Sequence, residues 1–395
     1  MKYFGMPADF KKETILRYEK LNSMYPDSKV IETYGQITVG TTYEAGRILG
    51  DIPKIDIENL KSYIEYSNLK GIGFNYTING PCMGNKEFTQ AGIEEINKFL
   101  KFLYEANVRS VTVALPSLME IIKSSGYNFE IKASTLCSIN NANKALTYKK
   151  AGADRIVLEE AINRDFDTLK RIVAAYGDKV EIIINTLCYK DCTYRTFHYN
   201  QMGHDSIEKS QKSISSFYNH LCMLKRCENV SNILKLSWVR PEDIKYYEAI
   251  GIRYYKIQGR HNVLKGDPVR VVESYFKESF DGNLIELLEL FNPPNSFSIY
   301  VDNKKLDGYL GPFFETPGFC RRDCTNCGYC DSFVRICTEY EKAQETNNLA
   351  TKFYNEYDEF SKIVSDAVLE GGGKKEDAHI ISKIRKEKIE IDFDF

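Results

Sequence analysis

Short apolar runs alternate along the chain with longer segments in which apolar residues recur every three or four positions. The short runs are rich in Val, Ile, Tyr and Phe, which favours strands, and the longer segments have the period of amphipathic helices. Such alternation is typical of repeated βα units around a parallel sheet. The runs predicted as strands are 29–35, 71–79, 109–115, 129–135, 155–160, 180–186, 233–239 and 253–259.

The clearest predicted helix covers residues 88–106, where Ile96, Leu100 and Leu103 share one apolar face. Further helices are predicted at 57–68, 141–152, 166–177 and 241–251. Eight strands with intervening helices over about 250 residues match the size of a (β/α)8 barrel. The sequence therefore predicts an α/β protein with a TIM-type barrel.

The alternation stops near residue 290, which divides the chain into three predicted parts. Residues 1–290 form the barrel and its iron-sulfur site. Residues 291–370 form a cysteine-rich extension that ends in a long helix, and residues 371–395 form a charged, flexible tail that begins with three glycines.

Composition places the chain among soluble proteins. Lys and Arg number 53 against 55 for Asp and Glu, so net charge gives no indication of a nucleic-acid partner. No signal peptide and no apolar run of membrane-spanning length occurs, which predicts a cytoplasmic protein without a membrane partner. In that reducing compartment, the 11 cysteines are expected to be metal ligands or reactive thiols rather than disulfides.

Two cysteine pairs lie where a barrel would place its active site. Cys188 and Cys192 follow the sixth predicted strand, and Cys222 and Cys227 come within forty residues of them. Active sites of such barrels lie at the carboxyl ends of the strands, and four thiolates can hold a 4Fe-4S cluster. Alternatively, Cys222 and Cys227 are small buried residues of a helix, in which case Cys82 is the reserve ligand.

A second, denser group follows the barrel: Cys320, Cys324, Cys327 and Cys330. Its spacing predicts a second iron-sulfur cluster, with zinc as the alternative. Cys337 or a barrel cysteine is a candidate to complete the ligand set. The first three cysteines have the C-x3-C-x2-C spacing of radical SAM enzymes. However, they follow the barrel instead of its first strand, and Asn326 replaces the usual aromatic residue.

Four polar residues at predicted strand ends or in the cysteine loop are candidates for catalysis: Glu159, Arg195, His198 and Arg260. Histidine carries protons near neutral pH, and arginine binds a carboxylate through two parallel hydrogen bonds. Glu159 could serve as an acid or base, or it could form an ion pair with Arg155 or Lys132. Arg260 precedes a predicted helix and is a candidate anchor for an anionic substrate group. Neither an HExxH nor a GxSxG motif occurs.

The chain resembles peptidase family U32, the collagenase-like proteins. The matching stretches are GFNYTINGPCMGN, KASTLCSINNANKALTYKKAGADRIVLEEAINRDFDTLKRI, NTLCYKDCTYRTFHYN and WVRPEDIKYYEAIGIRYYKIQGR, which are spread over residues 73–260. The resemblance implies a TIM-type barrel with a 4Fe-4S cluster at its mouth. It also implies oxygen-independent, and so anaerobic, hydroxylation of an aromatic ring or an RNA base. The C-x3-C spacing is shorter than in some hydroxylating members, and residues 320–330 have no counterpart in the minimal family pattern.

Three functional hypotheses follow from these observations. The first is an iron-sulfur oxidoreductase that modifies a small-molecule, RNA or peptide substrate and receives electrons from a donor protein through its second cluster. The second is a peptidase, in keeping with the family's label. The third is a non-catalytic iron-sulfur scaffold or maturation protein.

Overall fold

The computed structural model describes residues 1–39, 43, 52–206, 217–294 and 297–370, with side chains of the last helix described as far as residue 356. The predicted tail at 371–395 lies outside the described residues. Within the described part of the chain, no helix combines the length and the apolar character needed to cross a membrane.

The centre of the fold is a closed barrel of parallel strands, which confirms the predicted (β/α)8 architecture. Each strand pairs with its neighbours in sequence, and β1 pairs with β8 to close the ring. The strands are β1 Lys2–Pro7, β2 Ser28–Gly35, β3 Gly73–Ile78, β4 Ser110–Val113, β5 Glu130–Ala133, β6 Arg155–Val157, β7 Val180–Ile183 and β8 Tyr254–Lys256.

Helices surround the barrel and continue into the C-terminal extension. They are α1 Lys12–Met24, α2 Ile57–Leu69, α3 Gln90–Glu105, α4 Pro116–Ser124, α5 Ala142–Lys150, α6 Phe166–Tyr176, α7 Arg195–Asp205, α8 Phe217–Cys227, α9 Ile244–Ala249, α10 Pro268–Phe276, α11 Leu284–Leu288, α12 Gly311–Glu315, α13 Cys324–Cys327, α14 Tyr329–Cys337 and α15 Tyr340–Glu370. The predicted helix at 88–106 corresponds to α3, and its apolar face is buried.

One predicted strand is wrong, and one strand of the barrel was not predicted. The predicted strand at 233–239 is not part of the barrel, because Val230–Lys235 forms a 3₁₀-helix. The residues after it run antiparallel to an extension of β7, with Val239 N donating to Ile184 O over 2.8 Å. The barrel gains β1 in its place, so the cysteine loop follows the seventh strand and not the sixth.

Strand β1 escaped sequence analysis because it contains Gly5 and Pro7, which both disfavour strands. The structure explains the glycine. A Cβ atom at Gly5 would lie 3.1 Å from Glu32 Oε1, so a larger residue would press on that carboxylate. Gly5 therefore makes room for a charged side chain inside the barrel.

The barrel interior holds a network of buried charges where such barrels usually carry bulky aliphatic residues. The Lys132 ammonium bonds to Glu32 and, over 2.8 Å, to Glu181. The Arg155 guanidinium donates to the same two carboxylates over 3.2 and 3.3 Å. All four residues are at most 5% exposed. Each charge has a counter-charge, as buried ions require.

The C-terminal extension packs on the side of the barrel where the β7–β8 connection emerges. The His220 ring of α8 lies 5.4 Å from the Tyr354 ring of α15. Before α15, an aromatic cluster seals the extension against the connection: Trp238, Tyr309, Phe313, Phe319, Tyr329 and Phe333. The extension is thus attached directly to the loop that carries Cys188 and Cys192.

Candidate functional site

The loop after β7 places Cys188 at the barrel mouth. Its backbone is fixed from two sides: Cys188 N donates to Thr186 Oγ1 over 3.3 Å, and Ser237 N donates to Cys188 O over 3.0 Å. Burial and the nearby Glu160 carboxylate raise the pKa of the Cys188 thiol, while the Arg195 guanidinium lowers it. The thiol is therefore a weak acid until a cation or metal neutralises its charge.

The two cysteines of α8 face different neighbours. They are five residues apart, which places them about 140° apart around the helix axis. The thiol of Cys222 lies close enough to Cys188 to raise the pKa of that thiol. Burial raises the pKa of Cys227, whereas Arg226 and Thr351 of α15 lower it. The helix thus brings Cys222 toward the barrel-mouth loop and turns Cys227 toward α15.

Arg195 and Glu159 form the best-defined polar pair at the mouth. Arg195 Nη1 donates to Glu159 Oε1 over 2.6 Å, and Nη2 donates to the backbone oxygen of Tyr189. On the other side, Asn140 Nδ2 donates to Glu159 Oε2 over 2.9 Å. Glu159 is therefore an oriented carboxylate at the end of β6. Its partner is Arg195, and not the Arg155 or Lys132 considered from sequence.

The other two candidate catalytic residues lie elsewhere on the mouth. His198 is half-buried on α7, with its ring 6.1 Å from that of Tyr218. Arg260 is buried and contacts the opposite side of the barrel, where Nη1 donates to Gln36 Oε1 over 2.6 Å and to Thr77 Oγ1 over 2.9 Å. Arg260 thus lies beside the ends of β2 and β3, whereas Arg195 bonds to Glu159 at the end of β6.

The cysteines of the extension surround a single pocket of about 250 Å³. Its walls include Cys320, Cys324, Cys327 and Cys330. Cys324 and Cys327 are exposed, which leaves this pocket open to solvent on one side. Gly328 separates α13 from α14 with a φ of 64°, a left-handed conformation that favours glycine. That turn lets Cys330 return to the same pocket as Cys324.

Basic and aromatic groups line the protein side of this pocket. Lys235 is part of the wall and lowers the pKa of Cys324, although burial raises that pKa overall. The Tyr309 hydroxyl lies 3.3 Å from Cys330 Sγ. Behind it, Arg164 Nη1 donates to the same hydroxyl over 3.0 Å. Lys235 therefore offsets part of the cost that burial imposes on a thiolate in this pocket.

The two cysteine groups are neighbours, because residues of the β7 loop contact residues of the extension. Lys190 Nζ donates to Cys320 Sγ over 3.5 Å and lies 5.2 Å from the centre of the Phe313 ring. Next to it, Arg322 Nη1 donates to Asp191 Oδ1 over 2.7 Å. Lys190 stands between Cys188 and Cys192 in sequence, so one short loop carries two thiols and touches a third.

A polar pocket of about 410 Å³ lies beside this junction. Its lining residues are Asn140, Glu159, Ala161, Ile162, Asp165, Lys190, Asp191, Cys192, Thr193 and Arg322. It thus joins the oriented carboxylate of Glu159 to the thiol of Cys192 and to the edge of the second cysteine group. A substrate held there would contact both parts of the site.

The described thiols stand apart from one another. Within the described residues, no three His, Cys, Asp or Glu side chains come together as a site for a single metal ion. The reserve candidates also lie apart: Cys337 is buried in the core with its pKa raised to about 12 by burial, and Cys82 accepts a hydrogen bond from Gly84 N over 3.3 Å.

Several residues of this region were not singled out by sequence analysis: Lys190, Arg322, Lys235, Tyr309 and Arg164. Only Lys190 had a usable signal, since it lies between two candidate ligands. The others come from distant parts of the chain and meet the cysteines only after folding.

Comparison with known proteins gives consistent matches. A family model described as peptidase family U32 matches residues 51–282, more than half of the chain. An uncharacterized protease, MJ1657, from Methanocaldococcus jannaschii is 29% identical over 82% of this chain and 95% of its own length. The solved structure of the U32 peptidase Mk0906 is 15% identical, with a TM-score of 0.47, over 65% of this chain and 92% of that one.

A weaker match has a different name. A cytidylate kinase from Clostridium botulinum is 27% identical over 46% of this chain and 87% of its own length. The present sequence contains no G-x4-G-K-[ST] phosphate-binding loop.

Proposed function

The chain belongs to peptidase family U32, and on that premise we propose that it is an iron-sulfur redox enzyme with two cysteine-bound centres. The cysteines at 320–330 hold a 4Fe-4S cluster, and the barrel-mouth cysteines hold a second one. The substrate occupies the 410 Å³ pocket between them. The reaction is an oxygen-independent hydroxylation or a related modification of a small-molecule, RNA or peptide substrate.

The observation that carries this proposal is the convergence of four thiols on one pocket, with a lysine hydrogen-bonded to the first of them. A 4Fe-4S cluster binds four thiolates, each on a different iron atom, so its ligands surround it and do not meet at a point. The walls of the 250 Å³ pocket supply such a set. Lys190 and Lys235 add positive charge beside it, which suits a group held by anionic sulfur.

At the barrel mouth, three of the four cysteines are better placed than the fourth to hold a second cluster. Cys188, Cys192 and Cys222 belong to the loop after β7 and the adjoining side of α8. Cys227 faces Thr351 of α15 and would join them only after a rearrangement of α8. A three-thiol centre would leave one position for a substrate or another ligand.

The polar residues around the pocket have separate proposed roles in proton transfer and substrate binding. When bound, an iron-sulfur cluster supplies one-electron redox chemistry. Glu159, held by Arg195 and Asn140, presents an oriented carboxylate that can accept or donate a proton. His198 is a second candidate proton carrier on α7, and Arg260 would bind an anionic group on the far side of the mouth.

Anaerobic reconstitution tests the proposal. Two cubane clusters require about eight iron and eight sulfide per chain. Changing Cys324 and Cys327 to Ala should remove about half of the iron and one EPR signal, whereas changing Cys188 and Cys192 should remove the other half. Cys137→Ala is the matched control, because Cys137 is buried and its thiol hydrogen-bonds Ala114 O. A colourless, iron-free wild type would contradict the proposal.

A peptidase is the second candidate, and the names of the relatives favour it. MJ1657 is called a protease and Mk0906 a peptidase. The distinguishing experiment measures cleavage of casein and of a peptide library by the wild type and by the cysteine variants. Cleavage that survives complete removal of iron would favour the peptidase and count against a redox role.

A further inference from the structure

Lys256 is a buried lysine whose amine has no hydrogen-bond acceptor among the residues that the structure describes. It lies on β8 and pairs in register with Ile183 of β7 and Gly5 of β1. Its Nζ lies 4.1 Å from the centre of the Tyr34 ring, across the barrel interior. Among the described residues, no oxygen accepts a hydrogen bond from this amine. The residue is 9% exposed, so the side chain is only just within reach of solvent.

The carboxylates inside the barrel are already occupied. Glu32 and Glu181 each accept hydrogen bonds from both Lys132 and Arg155. Lys256 is therefore an additional positive group beside a network whose charges are matched. Burial, together with the Lys132 ammonium, lowers the pKa of Lys256 to about 7. Glu181 and Glu32 act on Lys256 in the opposite direction, but both already accept hydrogen bonds from Lys132 and Arg155. A buried lysine without a hydrogen-bonded anion is costly, and strongly perturbed groups of this kind cluster at functional sites.

Gln36 provides a second donor without an acceptor. Its Oε1 accepts from Arg260 Nη1 over 2.6 Å and from Thr77 Oγ1 over 3.2 Å, which fixes the orientation of the amide. Its Nε2 is buried and has no partner among the described residues. Gln36 is 3% exposed.

Both donors belong to the same part of the barrel. Gln36 directly follows the last residue of β2 and lies two residues after Tyr34, at the end of the strand that Lys256 faces. Lys256 Nζ lies over that tyrosine, and Arg260, which holds Gln36, is among the charges that act on Lys256. This region lies toward the carboxyl ends of the strands, where barrels of this type bind their ligands.

We propose that the barrel interior binds a small oxyanion, either a carboxylate or a phosphate group, between Lys256 and Gln36. Its oxygens accept from Lys256 Nζ and Gln36 Nε2, and its charge balances the additional lysine. Water could satisfy the hydrogen bonds but would not supply the charge. The site involves none of the cysteines, so it does not rest on the proposed metal centres and can fail or succeed without them.

Calorimetric titration of the full-length protein tests this site. Malonate and inorganic phosphate are added in separate titrations, which distinguishes a carboxylate ligand from a phosphate ligand. The wild type is expected to bind at least one of the two probes with a stoichiometry of one. Lys256→Met should weaken that binding at least tenfold, whereas Lys150→Met, which changes an exposed lysine at the end of α5, should leave it unchanged. Binding of malonate alone identifies a carboxylate site, and binding of phosphate alone identifies a phosphate site.

A second variant guards against a folding defect in Lys256→Met. Gln36→Glu keeps the oxygen that accepts from Arg260 but replaces the donor Nε2 with a carboxylate oxygen. It should also weaken binding at least tenfold, since its new charge occupies the place of the ligand. The proposal is overturned if the wild type binds neither probe, or if folded Lys256→Met or Gln36→Glu binds as well as the wild type.

Discussion

Lys190 donates a hydrogen bond to the Cys320 sulfur, although the two residues are 130 positions apart in the chain. The contact joins the loop after β7 to the cysteine-rich extension. Because Lys190 lies between Cys188 and Cys192 in sequence, the loop that carries these two thiols also contacts the second cysteine group. The two cysteine groups are therefore neighbours in the fold.

The first prediction concerns that lysine in the reconstituted protein. Lys190→Met removes a positive charge and a hydrogen bond from Cys320. Hydrogen bonds to sulfur raise the reduction potential of a cluster, so the potential of the C-terminal centre should fall. A charge-assisted bond contributes about 1.5 kcal/mol, which corresponds to a shift on the order of 60 mV for a one-electron couple. Redox titration followed by EPR measures the shift.

Two further variants make this measurement specific. Lys190→Arg keeps the charge and should recover most of the wild-type potential, whereas Lys265→Met changes an exposed lysine and should have no effect. A potential that is unchanged in Lys190→Met would mean that the contact with Cys320 only packs the loop.

The second prediction concerns the ion pair at the mouth. Arg195 is 8% exposed and faces Glu159 at 2.6 Å and Glu160 at 4.0 Å. Arg195→Met would leave two neighbouring carboxylates without their cation and free the start of α7. Removal of one partner of a buried pair costs about 3–5 kcal/mol, and we expect a loss in that range in the free energy of unfolding.

Urea unfolding measures this loss, and Arg171→Met, which changes an exposed arginine on α6, is the control. Glu159→Gln should cost less, because the amide oxygen can still accept from Arg195 and only the bond from Asn140 is lost. A loss below about 0.5 kcal/mol for Arg195→Met would class the pair with weak surface ion pairs.

The third prediction is a pH dependence set by Glu32. Burial alone would raise its pKa, but the charges of Lys132 and Arg155 outweigh burial and lower the pKa to about 2 from 4.5. A depressed carboxyl pKa stabilises the folded state above pH 4.5, and this contribution is lost as pH falls from 4.5 to 2. The shift corresponds to about 3 kcal/mol.

The free energy of unfolding of the wild type should therefore fall between pH 4.5 and pH 2. That of Glu32→Gln should fall less, because the variant lacks the carboxyl group that titrates in this interval. Chemical unfolding at half-unit steps measures the difference between the two proteins. Parallel curves for the two proteins over that range would show that Glu32 does not contribute.

Sequence patterning was sufficient for most of the barrel but failed where burial is two-sided. The segment at 233–239 is apolar because it packs between the β7 extension and the aromatic cluster of the extension, and periodicity alone cannot tell such a segment from a buried strand. Strand β1 was missed because it contains a glycine, which usually indicates a turn. Here Gly5 makes room for the Glu32 carboxylate instead.

Cysteine spacing was sufficient to group Cys320, Cys324, Cys327 and Cys330, which line one pocket, but the ion pairs of the charged residues were not predictable. The partner of Glu159 was not predictable, because Arg155 and Lys132 face into the barrel and are taken up by other carboxylates. Which charges meet inside a barrel depends on strand register, and a register is a property of the whole ring.

The last prediction is that Lys256 lowers the stability of the protein. Its pKa is about 7 when folded and 10.5 otherwise, mainly because burial disfavours the charged form. A lysine with a depressed pKa costs stability fully below pH 7, and the cost disappears as pH rises from 7 to 10.5. The shift corresponds to a destabilisation of the folded state by at most about 5 kcal/mol. The cation–π contact with the Tyr34 ring offsets about 1–2 kcal/mol of it.

Lys256→Met should therefore raise the free energy of unfolding at pH 6, and the gain should shrink toward pH 10. Urea unfolding at pH 6, 8 and 10 measures the trend, with Lys150→Met as the control for the loss of a lysine in general. A residue that fills the barrel only for packing would show the opposite sign, since its replacement would lower stability at every pH. A stabilising Lys256→Met variant would instead show that burial of the charged amine costs the folded state free energy.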